Sequence, residues 1–369
     1  MKGIKALSIA FGIIVIVSSC KNPFLTKYNV KGEIVKFPKS EAVNNKNSLE
    51  WWYLTGTFRD SLNNRYGVEY VFFHFCTKDH VSRVMVNVAV TDENDSVFHY
   101  DYLIKNRKNY LGKSIVSEDL GSYMIDNHNN EIEIESQPPI NFQVQDYSWK
   151  GGQGYYTISA KMKKNSVGFN LTTTPTKPVV LHGDSGYVNY GDITTAGYYS
   201  YPRLKTKGSI TLNGKEIPVE GIMWYDRQWN CGEITKKDIA WDWTAISLDN
   251  QSDLMLYRIK SKKSDNYLFG GTYIDSLGNT MKLNHEDIKL VAKKDWKSPN
   301  TKKSYPLHWE IEIPKLEIKL TMIPIMPNQE LKIKSFFGSV IYWEGLCDVR
   351  GEMNGKPVKG ESYLEMTNK

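Results

Sequence analysis

The sequence predicts an all-β protein, and three observations carry that expectation. Apolar residues alternate with period two along much of the chain. Turns rich in Asn, Asp and Gly separate the alternating runs, and no segment sustains an apolar period of 3.6. Aromatic residues point the same way: 23 Tyr, 13 Phe and 10 Trp, 12% of 369 residues, suit pleated sheets and the walls of apolar cavities. Many short strands joined by turns imply sandwiches or up-and-down barrels. The length favours two domains, each large enough for its own core.

The N-terminal residues lie outside that fold. Met1–Lys5 carries Lys2 and Lys5, the apolar run Ala6–Val17 follows, and Val17-Ser18-Ser19-Cys20 closes it. A short basic segment, an apolar stretch too short to span a bilayer comfortably and small residues before a cut site describe a secretory signal over residues 1–19. Small residues leading into Cys resemble a bacterial lipobox, which implies cleavage before Cys20 and acylation of its thiol and amine. Loss of Lys2 and Lys5 takes the net charge from +6 to +4. The lipid chains then anchor the protein more firmly than one acyl group would, with residues 20–36 as a tether. Lys21 is not the Asp that retains many lipoproteins at the inner membrane, so the expected location is the outer membrane, facing the periplasm. The remaining Cys76, Cys231 and Cys347 are odd in number, lack CxxC spacing and sit in or beside apolar segments. Buried free thiols are the default and one disulfide is the alternative.

Further along, Val84, Val86, Val88 and Val90 alternate, Asp92-Glu93-Asn94-Asp95 turns the chain, and Phe98, Tyr100, Tyr102 and Ile104 return it. Ile210 and Leu212 run through Asn213-Gly214 into Ile217 and Val219, and Asn-Gly suits the left-handed torsions of a tight hairpin. Leu254, Leu256 and Arg258 follow Asp249-Asn250, and Trp309, Ile311 and Ile313 precede Leu316, Ile318 and Leu320. Glu50-Trp51-Trp52-Tyr53 and Asp242-Trp243-Thr244 each open a strand followed by a polar turn. That weak duplication places a boundary near Cys231-Gly232 and domains at 37–230 and 231–369.

Several segments then resemble one family in order. They are Glu50-Trp51-Trp52-Tyr53-Leu54-Thr55-Gly56, His182-Gly183-Asp184, Tyr198-Tyr199-Ser200-Tyr201-Pro202-Arg203 and Trp224-Tyr225-Asp226-Arg227-Gln228-Trp229, followed by Trp241-Asp242-Trp243, Tyr305-Pro306 with Trp309, Tyr342-Trp343-Glu344-Gly345 and Tyr363-Leu364-Glu365. Together, over about Phe37–Thr367, they resemble the AttH-type "secreted hydrolase" and carotenoid 1,2-hydratase family. The resemblance implies two lipocalin-like antiparallel β-barrel domains packed together, and an apolar pocket. It also implies action on hydrophobic or alkene-bearing small molecules, by hydration or by ring formation. Two positions depart from the family pattern, because residues usually His are Arg227 and Asn87. Those departures bear on proton transfer and leave the fold untouched.

Acid-catalysed hydration of an alkene needs a carboxylic acid still protonated near neutral pH, a stabiliser for the carbocation and a positioned water. Burial beside aromatics raises a carboxyl pKa, and Trp faces stabilise a cation. Asp226 and Asp242 meet those needs as candidate catalytic acids, although Arg227 beside Asp226 would hold it ionised if the two paired. The aromatic-plus-acid segments are expected to converge on one pocket near the domain junction, lined by Glu50, Trp51, Trp52, Tyr53, Tyr199, Arg203, Trp224, Trp229, Trp241, Trp243, Trp343 and Glu344. The alternative for the acids is bracing, with Arg203 and Arg227 as partners. Two functions follow: an enzyme acting on a hydrophobic small molecule, or a carrier of an apolar ligand without chemistry.

Other chemistries find little support. Gly183-Asp184-Ser185-Gly186 imitates a serine-protease segment, but no base other than His182 is near Ser185, and a tight loop explains the glycines. The seven His lack HxH and HExxH spacing, so no metal is expected. No P-loop or strand–GxGxxG–helix unit indicates a cofactor. Lys and Glu are interleaved, so nucleic acid is not an expected partner. The basic stretch Lys293–Lys303 reads as a solvated loop, with anionic headgroups as the alternative contact.

Overall fold

The structure is a computed structural model that describes residues 35–43, 47, 49–76, 82–107, 123–125, 131–133, 139–163, 166–232, 234, 239–261, 266–335 and 338–367. The expected signal, Cys20 and most of the tether lie outside these residues. Strands dominate the first half: β1 (Leu49–Arg59), β2 (Arg65–Cys76), β3 (Ser82–Asp92), β4 (Val97–Arg107), β5 (Tyr123–Ile125), β6 (Glu131–Glu133) and β7 (Ile140–Val144). The series continues with β8 (Tyr147–Gly152), β9 (Tyr155–Lys161), β10 (Gly168–Pro175), β11 (Val180–Leu181), β12 (Tyr187–Asn189), β13 (Thr195–Leu212) and β14 (Lys215–Trp229). The second half holds β15 (Ile239–Leu248), β16 (Asp253–Ser261), β17 (Leu268–Ile274), β18 (Thr280–Leu283) and β19 (Lys289–Lys297). It ends with β20 (Ser304–Ile313), β21 (Ile318–Pro324), β22 (Glu330–Ser335), β23 (Gly338–Met353) and β24 (Lys356–Met366). Among the described residues the only helical segments are three-residue turns.

Among the described residues all ladders are antiparallel, in two large sheets and the small β5-β6 pair. The first runs β4-β3-β2-β1-β14-β13-β10-β9-β8-β7, with β11 and β12 also on β13; the second runs β18-β17-β16-β15-β24-β23-β21-β20-β19, with β22 on β23. Each sheet therefore starts as a four-strand meander whose first strand pairs with the last strand of its own half. The strands that carry Glu50-Trp51 and Asp242-Trp243 are the ones that make this pairing. The hairpin at Asn213-Gly214 forms as its residues dictate, with φ of 51° and 78° and Leu212 opposite Lys215.

Both sheets curl into lipocalin-like barrels around aromatic cores. In the first, the Tyr70 hydroxyl of β2 donates to the Ser148 and Ser159 carbonyls of β8 and β9 at 3.1 Å, and Tyr147 donates to Asp101 of β4 at 2.9 Å. Opposite ends of the sheet thus meet around Trp52, Phe142, Trp149, Tyr156 and Tyr225, whose rings pack edge-to-face or tilted at 4.7–5.9 Å. The second sheet packs around Leu254, Leu256, Tyr305, Trp309, Ile311 and Trp343. A third apolar layer joins residues of both sheets, among them Tyr53, Val71, Tyr198, Trp243, Leu346 and Tyr363.

That layer explains a departure from simple alternation. Every residue from Val84 to Asp92 in β3 is buried, so neither face looks to solvent. Val86, Val88 and Val90 fill the first barrel, while Asn87 and Thr91 on the other face hydrogen-bond Tyr342 and Gln329 of the second half at 2.8 and 3.0 Å. The basic stretch is corrected too: residues 293–297 belong to β19, where Lys293 pairs with Glu310 at 2.7 Å and Trp296 stacks on Tyr305 at 6.2 Å. Cys231 and Cys347 are buried free thiols.

Candidate functional site

The alternation that builds the barrels also sorts side chains between cores and interface. In β14, Trp224, Asp226 and Gln228 face the interface while Tyr225, Arg227 and Trp229 face the first barrel's core. In β15, Trp241 and Trp243 face the interface and Asp242 faces the second barrel. Where the interface faces are not filled by their own side chains, a cavity of about 690 Å3 remains, within the ~300–1,000 Å3 range of small-molecule sites. Its walls are largely aromatic and aliphatic, including Trp51, Phe73, Trp241, Trp243, Tyr257 and Ile259. Carboxyl groups reach it at two places.

The first is Asp226, which lines the cavity yet is 3% exposed. Its Oδ2 accepts from the Tyr198 hydroxyl at 2.7 Å, and its Oδ1 accepts from the Trp224 indole at 2.6 Å and from the Ser200 hydroxyl. Tyr198 in turn accepts from the Trp243 indole at 2.8 Å. Burial pushes the carboxyl up to about 7, against the lowering effect of those three donors. Arg227 does not intervene. Its guanidinium bonds Glu50 at 2.6 Å and stacks on Trp52 at 3.9 Å, on the opposite side of the sheet.

The second is an acid pair. Glu344 accepts from the Tyr53 hydroxyl, and Glu69 stands beside it as a second buried carboxyl. Tyr342 donates to Glu69 at 3.1 Å, and Trp241 donates to nearby Glu365 at 3.1 Å. Burial raises Glu69 to about 8 and raises Glu344 as well, with Glu69 and Glu365 as like charges beside it. Two carboxyls in one dry site share a proton rather than both ionising. Asn87 donates to Tyr342 at 2.8 Å, and its buried Oδ1, without a hydrogen-bond partner among the described residues, belongs to the same cavity wall.

The expected pocket therefore forms from only part of its proposed lining. Trp51, Tyr53, Trp241, Trp243, Asp226 and Glu344 meet there. Asp242 does not, because its neighbours Trp241 and Trp243 take the interface face; it pairs with Arg258 at 2.5 Å beside the second core. Glu50 and Trp52 lie in the first barrel. Burial alone would raise the Glu50 carboxyl, but Arg227 and His74 hold it below its ordinary range. Tyr199 and Trp229 sit on the same side, and Trp229 covers Gly197 so closely that a Cβ there would lie 1.9 Å from the indole. Trp343 is in the second core with its indole on the Pro327 carbonyl at 2.7 Å. Trp224 braces Asp226 from a separate polar groove. The β-bulge between Tyr201 and Leu204 turns Arg203 towards the second sheet, where it pairs with Asp253 at 2.9 Å as a brace.

Sequence reasoning passed over Glu69, while Tyr198, Gln228, Tyr342 and Glu365 lay in the quoted segments without being singled out. Glu69 left a signal, a lone carboxylate inside the apolar run Val68–Phe75. Ser185 lies in the tight turn between Gly183 and Gly186, and His182 bonds Ser200 instead. Among the described residues no group of three His, Cys, Asp or Glu side chains is arranged to hold a metal.

Comparison with known proteins gives consistent relatives. The AttH-like family model matches residues 28–369. Dehydratase asqC of Emericella nidulans is 23% identical over 223 residues, 58% of this chain and 61% of that protein. Kievitone hydratase of Fusarium solani subsp. phaseoli is 23% identical over 205 residues, 54% and 57% respectively. The match thus spans less than two thirds of either relative's length. Among solved structures, an AttH protein from Nitrosomonas europaea superposes with a TM-score of 0.76 at 24% identity, covering 92% of this chain and 98% of that one. Kievitone hydratase from Nectria haematococca gives 0.67 at 16% identity, covering 91% and 93%. These two share the fold.

Proposed function

Because the chain belongs to the AttH-like family, we propose that it acts on an apolar small molecule between its two sheets, adding or removing water across a carbon–carbon double bond with Asp226 as the acid. One observation carries this reading: a carboxyl raised to about 7 by burial, with no cationic partner, on the wall of an aromatic cavity. The hydratase and dehydratase among the relatives agree with it in reaction class.

The steps follow from the side chains. With burial pushing it up to about 7, the Asp226 carboxyl can hold a proton near neutral pH and give it up, which suits an acid that must also be regenerated. Proton delivery to an alkene carbon leaves a cation, and the faces of Trp243 and Trp51 stabilise it. Water adds to the cation, oriented by the polar edge formed by Asn87, Tyr342 and Glu344, and loses its proton. The reverse sequence dehydrates an alcohol. An internal double bond meeting the same cation would close a ring instead.

A carrier without chemistry is the second reading, and it draws on the three hydrogen bonds that already satisfy the Asp226 carboxylate. We further propose that acylated Cys20 holds the protein on the periplasmic face of the outer membrane, so that the cavity receives its ligand close to lipid. Native mass spectrometry of protein purified from its own host tests the cavity. A bound apolar compound carrying a double bond, or its hydrated product, supports the enzyme reading. A saturated ligand that is never altered supports the carrier, and an empty cavity defeats both.

A further inference from the structure

Asp226 is buried on the apolar cavity, yet a continuous line of side chains leads away from it. Ser200 donates to its Oδ1, His182 Nε2 lies 2.6 Å from Ser200 Oγ, and His182 Nδ1 lies 2.8 Å from Thr272 Oγ1. Ser200 spends its only proton on Asp226, so His182 must donate from Nε2. Its Nδ1 is then an acceptor, and Thr272 must donate to it. All three donors point towards the carboxylate. His182 and Thr272 also line a second cavity of about 460 Å3, whose rim carries the exposed side chains Lys282, Asn284, His285 and Glu286. Tyr257 borders both cavities. Burial lowers His182 to about 3, so the imidazole is neutral and can take a proton at one nitrogen while releasing one at the other.

We propose that Thr272, His182 and Ser200 form a proton relay that recharges Asp226 from this polar cavity, an assignment that rests on Asp226 being the acid of the reaction. When Asp226 gives its proton to a substrate carbon, its carboxylate takes the Ser200 hydroxyl proton. Ser200 takes the Nε2 proton of His182, Nδ1 takes the Thr272 proton, and a solvent proton from the polar cavity restores Thr272. The proton lost by the water that adds to the substrate returns to bulk solvent, so one water is consumed; the passage leaves His182 protonated at Nδ1, and the imidazole returns to its Nε2 tautomer before the next turnover. Feeding the acid from behind keeps bulk water out of the apolar cavity, where it would compete with the substrate. Ser200, His182 and Thr272 are positioning and relay residues; none of them borders the apolar cavity.

Infrared spectroscopy of the full protein without substrate tests the relay. At pH 6 Asp226 is mostly protonated, and its carboxylic C=O band is identified by its loss in Asp226→Asn. On rapid transfer to D2O the band shifts as the proton exchanges. His182→Gln and Thr272→Val are expected to slow that exchange at least tenfold at an unchanged band position, and Thr272→Ser to restore the wild-type rate. Wild-type exchange rates in both slow candidates would overturn the relay and mean that protons reach Asp226 from the apolar cavity. Should His182→Gln not fold, the Thr272→Val and Thr272→Ser pair decides. Because exchange is read without turnover, the result stands apart from the acid assignment, which fails only if Asp226→Asn keeps turning substrate over.

Discussion

Asp226 and Arg227 are consecutive in β14 and face opposite sides of the sheet. The Arg227 guanidinium bonds Glu50 at 2.6 Å inside the first barrel, while the Asp226 carboxylate accepts from Tyr198, Ser200 and Trp224 on the cavity side. A cation beside an acid in sequence therefore leaves that acid unneutralised in space. The consequences differ for stability and for chemistry.

The Glu50–Arg227 pair is structural. Glu50→Gln leaves a buried guanidinium without its countercharge and is expected to cost about 3–5 kcal/mol in urea unfolding. Because Glu50 is held below its ordinary value of 4.5, its contribution exists above that pH and is lost as pH falls through the folded value. Wild type and Glu50→Gln should converge in stability in strong acid.

The raised acids act in the opposite sense. Glu41 and Asp226 are raised to about 7 and Glu69 to about 8, from 4.5, 3.8 and 4.5. The folded protein holds these protons more tightly than the unfolded chain, so stability is complete below about pH 4 as far as these groups are concerned, and falls as pH rises to about 8. Thermal melting followed from pH 5 to 8.5 should show the decline. Glu69→Gln should flatten it.

Trp51 and Trp52 make a matched pair. Trp51 lines the cavity, whereas Trp52 is 1% exposed with its indole on the Glu41 carbonyl at 2.6 Å. Trp52→Ala should lose about 3–5 kcal/mol of stability. Trp51→Ala should melt near wild type but bind the co-purified apolar ligand about 10- to 100-fold more weakly, a loss of roughly 1.5–3 kcal/mol. Calorimetry on both variants separates the two roles.

Lipid attachment is read directly. Metabolic labelling with an alkyne palmitate should tag the wild type and leave Cys20→Ala unlabelled. Equal labelling would place any acyl group elsewhere.

The strands and hairpins were legible because period-two patterns and Asn-Gly turns are local signals. Asp226, Glu344 and the Trp51, Tyr53, Trp241 and Trp243 walls were legible too, as acids set among aromatics. The same alternation would have excluded Asp242, Trp52, Tyr199 and Trp229, since each neighbours a residue of the cavity face or shares a strand face with the core. Which face meets the second sheet is a tertiary fact, so the segments read as one site split between cores and interface. Arg203 needed the bulge after Tyr201 to be placed, and Pro202 inside the strand is the local signal of that register shift.

The most direct test of Asp226 as the acid is deuterium transfer. With the co-purified alkene, or its alcohol product, in D2O, the wild type should place deuterium on one carbon of the double bond, while Asp226→Asn binds within a few-fold and incorporates at least a hundredfold more slowly. Incorporation by Asp226→Asn at the wild-type rate would contradict the account.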